Sequence, residues 1–175
     1  MTPTPEWLQA RLFERRLVFV TGPLDETLAA RATAQIVALD AGSDAPIDIV
    51  LNSRDGTLEA AFALIDAVDA ARAAVRVQCQ GHVSGAAIGV LAAADHRVAT
   101  PHTTFRLITP TTRLAGSPEQ LVQQSHQHRH LLWQLQIRLA RATARPPEDV
   151  ADDMRRGRYL DATEALAYGL IDVIR

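Results

Sequence analysis

The stretch Val75-Arg76-Val77-Gln78-Cys79-Gln80-Gly81-His82-Val83-Ser84-Gly85-Ala86-Ala87-Ile88-Gly89 decides the fold. Its first six residues alternate apolar and polar, which is the period of a strand, while the run that opens at Gly85 is rich in small helix formers. Gly81 and Gly85 bracket the change, so Gly81-His82-Val83-Ser84-Gly85-Ala86 reads as a strand-to-helix turn. A strand delivered into a helix this way belongs to a βαβ unit, in which crossover helices join parallel strands.

The same alternation recurs along the chain. Strands are expected at 17–21, 47–52, 75–80, 97–99, 104–108 and 171–174, with helices at about 24–41, 57–72 and 85–94 between them. A longer helix is signalled by Ser117, Pro118 and Gln120, an N-cap, a first-turn proline and a capping-box partner, and should run to about Ala144. Asp161 and Glu164 open a short helix that ends at Gly169. The expected class is α/β with a largely parallel sheet, in one domain over 11–175, after a short mobile segment at 1–10 that carries Pro3 and Pro5.

Composition narrows the function. A chain of 175 residues, 47% of them apolar, can bury one sizeable core. Its net charge of −2 supplies no broad positive field, so neither nucleic acid nor an acidic membrane is an expected partner. No apolar run is long enough to span a bilayer, and the start Met1-Thr2-Pro3-Thr4-Pro5-Glu6-Trp7 has no secretory pattern. The lone Cys79 lies in an apolar strand and reads as a structural thiol in a reducing compartment, and a cytoplasmic location is expected. No cofactor is called for. His126, His128 and His130 alternate along the long helix, so only His126 and His130 share a face, too few ligands for a metal.

Two turns can carry chemistry: the one at Gly81 to Ala86, and Leu51-Asn52-Ser53-Arg54-Asp55-Gly56, where an apolar strand also gives way to a helix. In a parallel sheet both lie at carboxyl ends of strands, where free N–H groups point into a common crevice. The small residues Gly81, Gly85, Ala86, Ala87 and Gly89 serve equally for close packing of a helix on the sheet.

Three pieces, Phe13-Glu14-Arg15-Arg16-Leu17-Val18-Phe19-Val20-Thr21-Gly22, Leu51-Asn52-Ser53-Arg54-Asp55-Gly56 and Tyr168-Gly169-Leu170-Ile171-Asp172, resemble the proteolytic subunit of the Clp protease in order and spacing. The match runs from about Leu8 to the C-terminus with small gaps near 41–47 and 94–98. The stretch Gly81 to Gly89 also resembles the oxyanion-hole segment of crotonases. The resemblance implies a ClpP/crotonase-like spiral of βαβ units with a long protruding handle helix.

It also implies a Ser-His-Asp triad. The nucleophile's position, four residues after Gly81, falls on Gly85; the histidine's, two residues before Pro110, falls on Ile108; the aspartate's falls on Asp153. Glycine carries no nucleophile and isoleucine can take no proton, and removing one such member costs on the order of a millionfold in a model serine protease, ~8 kcal/mol of barrier. Ser84 stands one residue from the expected nucleophile, with His82, His102 or another chain as its possible base, although it also reads as a helix cap. The family's two oxyanion-hole N–H groups fall on Gly56 and Ala86, and Asp55 sets a carboxylate beside the first unless Arg54 pairs with it.

The resemblance implies sevenfold rings, possibly a double ring, of this chain alone or mixed with an active paralogue. The apolar stripe Leu121, Leu132, Leu135 and Leu139 on the handle helix serves equally for the core or for association with another ring, and the resemblance implies association. The segment before Arg11 is shorter than the family's axial loop, which leaves docking of a Clp ATPase open. The leading expectation is a non-catalytic ring-forming subunit associated with Clp-type proteolysis. The alternatives are a crotonase-like enzyme using a backbone oxyanion hole on acyl groups, and a working serine endopeptidase with Ser84 as shifted nucleophile.

Overall fold

A computed structural model describes residues 5–175. Its elements are α1 (Glu6–Glu14), β1 (Leu17–Thr21), α2 (Glu26–Gly42), β2 (Ile47–Ser53), α3 (Leu58–Ala70), β3 (Val75–Ser84), α4 (Ala87–Leu91), β4 (His96–Ala99), β5 (Thr104–Leu107), α5 (Pro118–Thr143), α6 (Pro147–Arg156), β6 (Arg158–Leu160), α7 (Ala162–Tyr168) and β7 (Val173–Ile174). The strands form one sheet ordered β1-β2-β3-β4-β7, and β5 pairs with β3 and β6. All ladders are parallel except β5–β6.

The expected α/β architecture with a long helix is therefore the observed one. Asp25, Thr57, Ser117 and Asp161 each cap the helix that follows through a side-chain oxygen, and Ser117–Gln120 and Asp161–Glu164 are complete capping boxes. Val18, Val20, Ile47, Ile49, Leu51, Val75, Val77 and Cys79 meet Leu64, Ile65, Ile88 and Leu91 in a core where none is exposed. Cys79 is thus a core residue, and burial pushes its thiol pKa up, away from reactivity.

Four features depart from the sequence reading. Helix α1 occupies Glu6–Glu14, where no element was expected; residues 1–4 of the supposed mobile segment lie outside the described residues. Helix α6 and strand β6 were not foreseen, although Pro147 opens α6 in the position proline favours. The third helix is only Ala87–Leu91, short of the expected 85–94. Strand β3 continues to Ser84, so the turn proper is confined to Gly85 and Ala86.

The last difference has a geometric cause. Residues 76–79 of β3 pair with 96–99 of β4, and after Gly81 the strand changes partner, setting His82, Val83 and Ser84 against Thr104, Phe105 and Arg106. On the other side Leu51 opposes Cys79 but Ser53 opposes Val83, so β3 bulges at this point. Gly81 makes the bend with φ +66°, a conformation that costs other residues energy. Glycine here bends a strand without ending it.

Helix α5 buries only Leu135, Leu139, Ala140 and Thr143, all in its C-terminal half. The N-terminal half projects from the body, with Val122 well exposed. Among the described residues no helix is long and apolar enough to cross a membrane.

Candidate functional site

Two backbone ties assemble the elbow. Gly85 N–H donates to the Arg106 carbonyl at 3.4 Å, and the buried Ser84 hydroxyl donates to the Arg54 carbonyl, which draws the loop after β2 onto the end of β3. Gly81 lies close against Asn52, whose Oδ1 accepts from His82 N–H at 3.3 Å.

Side chains alternate along a strand, so the registers put His82 and Ser84 of β3, Thr104 and Arg106 of β5, and Tyr159 of β6 on one face. The contacts follow from that placement. His82 Nδ1 lies 2.8 Å from Thr104 Oγ1, and the His82 ring meets Tyr159 edge-on at 6.2 Å between centroids. The Arg106 guanidinium stands 4.8 Å over the Tyr159 ring, and its buried Nε has no acceptor among the described residues. Burial lowers the His82 pKa, and the charges of Arg54 and Arg106 lower it further.

Gly85 sits at the tip of the elbow with φ +61° and open space where a side chain would point. Ile108 is half-buried just past β5, and Thr109 N–H donates to the Met154 carbonyl at 3.1 Å, which seats this segment against α6. Asp153 lies on α6 and is committed elsewhere: it accepts from Arg158 Nη1 at 3.1 Å and from the Tyr168 hydroxyl at 3.0 Å. Tyr168 is in turn pressed between Arg145, 3.9 Å over its ring, and Arg158 at 5.4 Å. Burial and the bond to Asp153 push the phenol's pKa up, so it stays a donor. The carboxylate at the position that the resemblance assigns to a triad aspartate thus organises a tyrosine and an arginine.

The two supposed oxyanion donors differ. Gly56 N–H donates to Asp55 Oδ1 at 2.8 Å, so the carboxylate flagged in the sequence takes this donor instead of pairing with Arg54. Gly56 also bridges to Leu24, where a Cβ would stand 2.7 Å from Leu24 Cβ. Ala86 precedes α4, whose five residues give little helix dipole for an anion. Both the peptidase and the crotonase mechanisms need paired donors, and one of this pair is occupied from within.

Chemically the elbow holds a hydroxyl without a base. Ser84 gives its proton to a backbone carbonyl, His82 turns Nδ1 to a threonine, and among the described residues no hydrogen bond joins the two. His102 lies exposed in the turn before β5. Arg54, Arg106 and Tyr159 complete the constellation, and the sequence reading did not assemble them because their meeting depends on long-range register. On α5, His126 Nδ1 lies 3.1 Å from an Arg129 nitrogen and His130 stacks with Trp133; among the described residues no three metal-ligating side chains converge.

A largely parallel βαβ sheet with a glycine elbow and the long helix Pro118–Thr143 is consistent with the fold of a ClpP-type subunit. The Clp protease family model matches residues 6–175, and the chain belongs to that family. It is 33% identical over 174 residues to ATP-dependent Clp protease proteolytic subunit 3 of Rhizobium etli, covering 98% of this chain and 90% of the relative. It is 33% identical over 159 residues to the proteolytic subunit of Paracoccus denitrificans, covering 90% and 80%. Subunit 1 of Nocardia farcinica is 30% identical over 170 residues, covering 95% and 86%.

Proposed function

We propose that this chain is a non-catalytic, ring-forming subunit of Clp-type proteolysis in the cytoplasm, assembled alone or with an active paralogue. The observation that carries the reading is the elbow itself: Gly85 at its tip offers no side-chain nucleophile, and the neighbouring Ser84 hydroxyl is buried and spent on the Arg54 carbonyl. Ile108 at the base's position and the engagement of Asp153 by Arg158 and Tyr168 support it, because a triad works only as a chain of proton partners. The scaffold is kept while each catalytic position serves packing or structure. What remains is a chamber wall with the geometry of a peptidase.

The test is direct. Purified protein given a short fluorogenic peptide and a fluorophosphonate probe is expected to show neither turnover nor labelling. Steady hydrolysis abolished by Ser84→Ala, with the probe on Ser84, would establish a working shifted nucleophile and overturn the proposal.

A further inference from the structure

We infer that Arg106, with Tyr159 beside it, and Arg54 form a carboxylate-binding site that takes the C-terminal carboxylate of a peptide. The choice of a peptide rests on the proposed role in Clp-type proteolysis; the choice of a carboxylate rests on the site.

Neither arginine has an ion-pair partner among the described residues, whereas Arg76, Arg97, Arg138 and Arg158 each pair with an aspartate. Arg106 is partly buried, its buried Nε has no acceptor among the described residues, and its guanidinium carbon lies 4.8 Å from the Tyr159 ring centroid. Gly157, the left-handed C-cap of α6, leaves it room: a Cβ there would lie 3.2 Å from Arg106 Nη2. A guanidinium whose Nε is buried without a partner is costly without an anion, and its planar fork matches a carboxylate through two parallel hydrogen bonds.

The local field has the matching sign. The charges that act on the His82 ring are those of Arg54 and Arg106, and both disfavour its protonation. The neighbouring carboxylate of Asp55 is turned onto Gly56 N–H, and that of Asp153 is neutralised by Arg158. The Tyr159 ring, with the guanidinium over it and the His82 ring edge-on to it, offers a wall to the terminal residue's side chain. Arg54 is exposed on the loop after β2, and its carbonyl is held at the end of β3 by the Ser84 hydroxyl.

The experiment is fluorescence anisotropy with an N-terminally labelled hexapeptide ending in leucine, compared as free acid and C-terminal amide, with peptide integrity followed by mass spectrometry. The acid is expected to bind at least about tenfold more tightly than the amide, as a charge-assisted bidentate pair implies. Arg106→Lys, which keeps the charge and loses the fork, should weaken the acid by about tenfold and leave the amide unchanged. Arg54→Gln should weaken it several-fold. Equal binding of acid and amide, or binding of neither, overturns the inference. So does displacement of the peptide by inorganic phosphate at concentrations below the peptide's own Kd, which would assign the site to phosphate. If Arg106→Lys fails to fold, the acid-to-amide ratio on the unaltered protein and the exposed Arg54→Gln decide. Recovery of cleaved peptide would sink the non-catalytic reading alone, and the ratio would still judge the carboxylate site.

Discussion

A Cβ built on Gly56 stands 2.7 Å from Leu24 Cβ and 2.8 Å from the Leu24 carbonyl oxygen, and an isolated bridge, with Leu24 N–H donating to the Asp55 carbonyl and Thr57 N–H to the Leu24 carbonyl, fixes both segments. Gly56→Ala must therefore push strand ends apart, and should cost about 2–3 kcal/mol in urea denaturation, in the range of overpacking. At Gly85 the space is open and only the left-handed backbone resists a side chain, so Gly85→Ser should cost about 1–2 kcal/mol. It should restore no hydrolysis of a fluorogenic peptide, even combined with Ile108→His, because Asp153 is already bound by Arg158 and Tyr168. His82 sets a pH dependence. Burial and then the two arginines lower its pKa in the folded chain, while in the unfolded chain it titrates near about 6.5. The contribution to stability is thus present above that pH and lost as pH falls towards the folded value, where the unfolded state binds the proton more readily. The urea midpoint should drop between pH 7.5 and pH 5.5 more for the natural protein than for His82→Gln, and equal drops would refute the assignment.

At the scale of elements, α5 divides into a docked half and a free half. Leu135 is fully buried against the body, so Leu135→Ala should cost about 2–5 kcal/mol by cavity formation, whereas exposed Val122→Ala should stay within about 0.5 kcal/mol, both read from thermal or urea unfolding. The limits of this helix were legible because its start is written in local chemistry: Ser117, Pro118 and Gln120 act within one turn. The same holds for Asp161 and Glu164. Strand β3 was misread at its end because glycine is ambiguous; Gly81 bends the strand where it changes partner, and a local pattern cannot distinguish that from a turn. Strand β6 spans three residues and owes its existence to pairing with β5, a partner about fifty residues earlier in the chain. The positions Gly85, Ile108 and Asp153 could be named only through the family resemblance, and Tyr159 over Arg106 is a product of that pairing. Local signals were readable and cross-strand ones were not.

At the scale of the whole molecule, the exposed surface is 9715 Å², against about 8400 Å² for a compact monomer of 19.0 kDa. The excess is consistent with a long helix whose N-terminal half has no residue in the buried core, and with Val122 and Trp133 left 58% and 56% exposed on it. Apolar side chains on a helix held away from its own core gain most when a second chain covers them. On the ring-forming role proposed above, sedimentation velocity at micromolar concentration should show a species near seven times the 19.0 kDa chain mass, or twice that for a stacked pair. The double substitution Val122→Asp with Trp133→Glu should lower the assembled mass while far-UV circular dichroism stays unchanged, since neither residue contributes to the buried core. A 19.0 kDa monomer from the unaltered chain under the same conditions would remove both the ring and the handle's role in it, and would leave the carboxylate site to be explained within a single subunit.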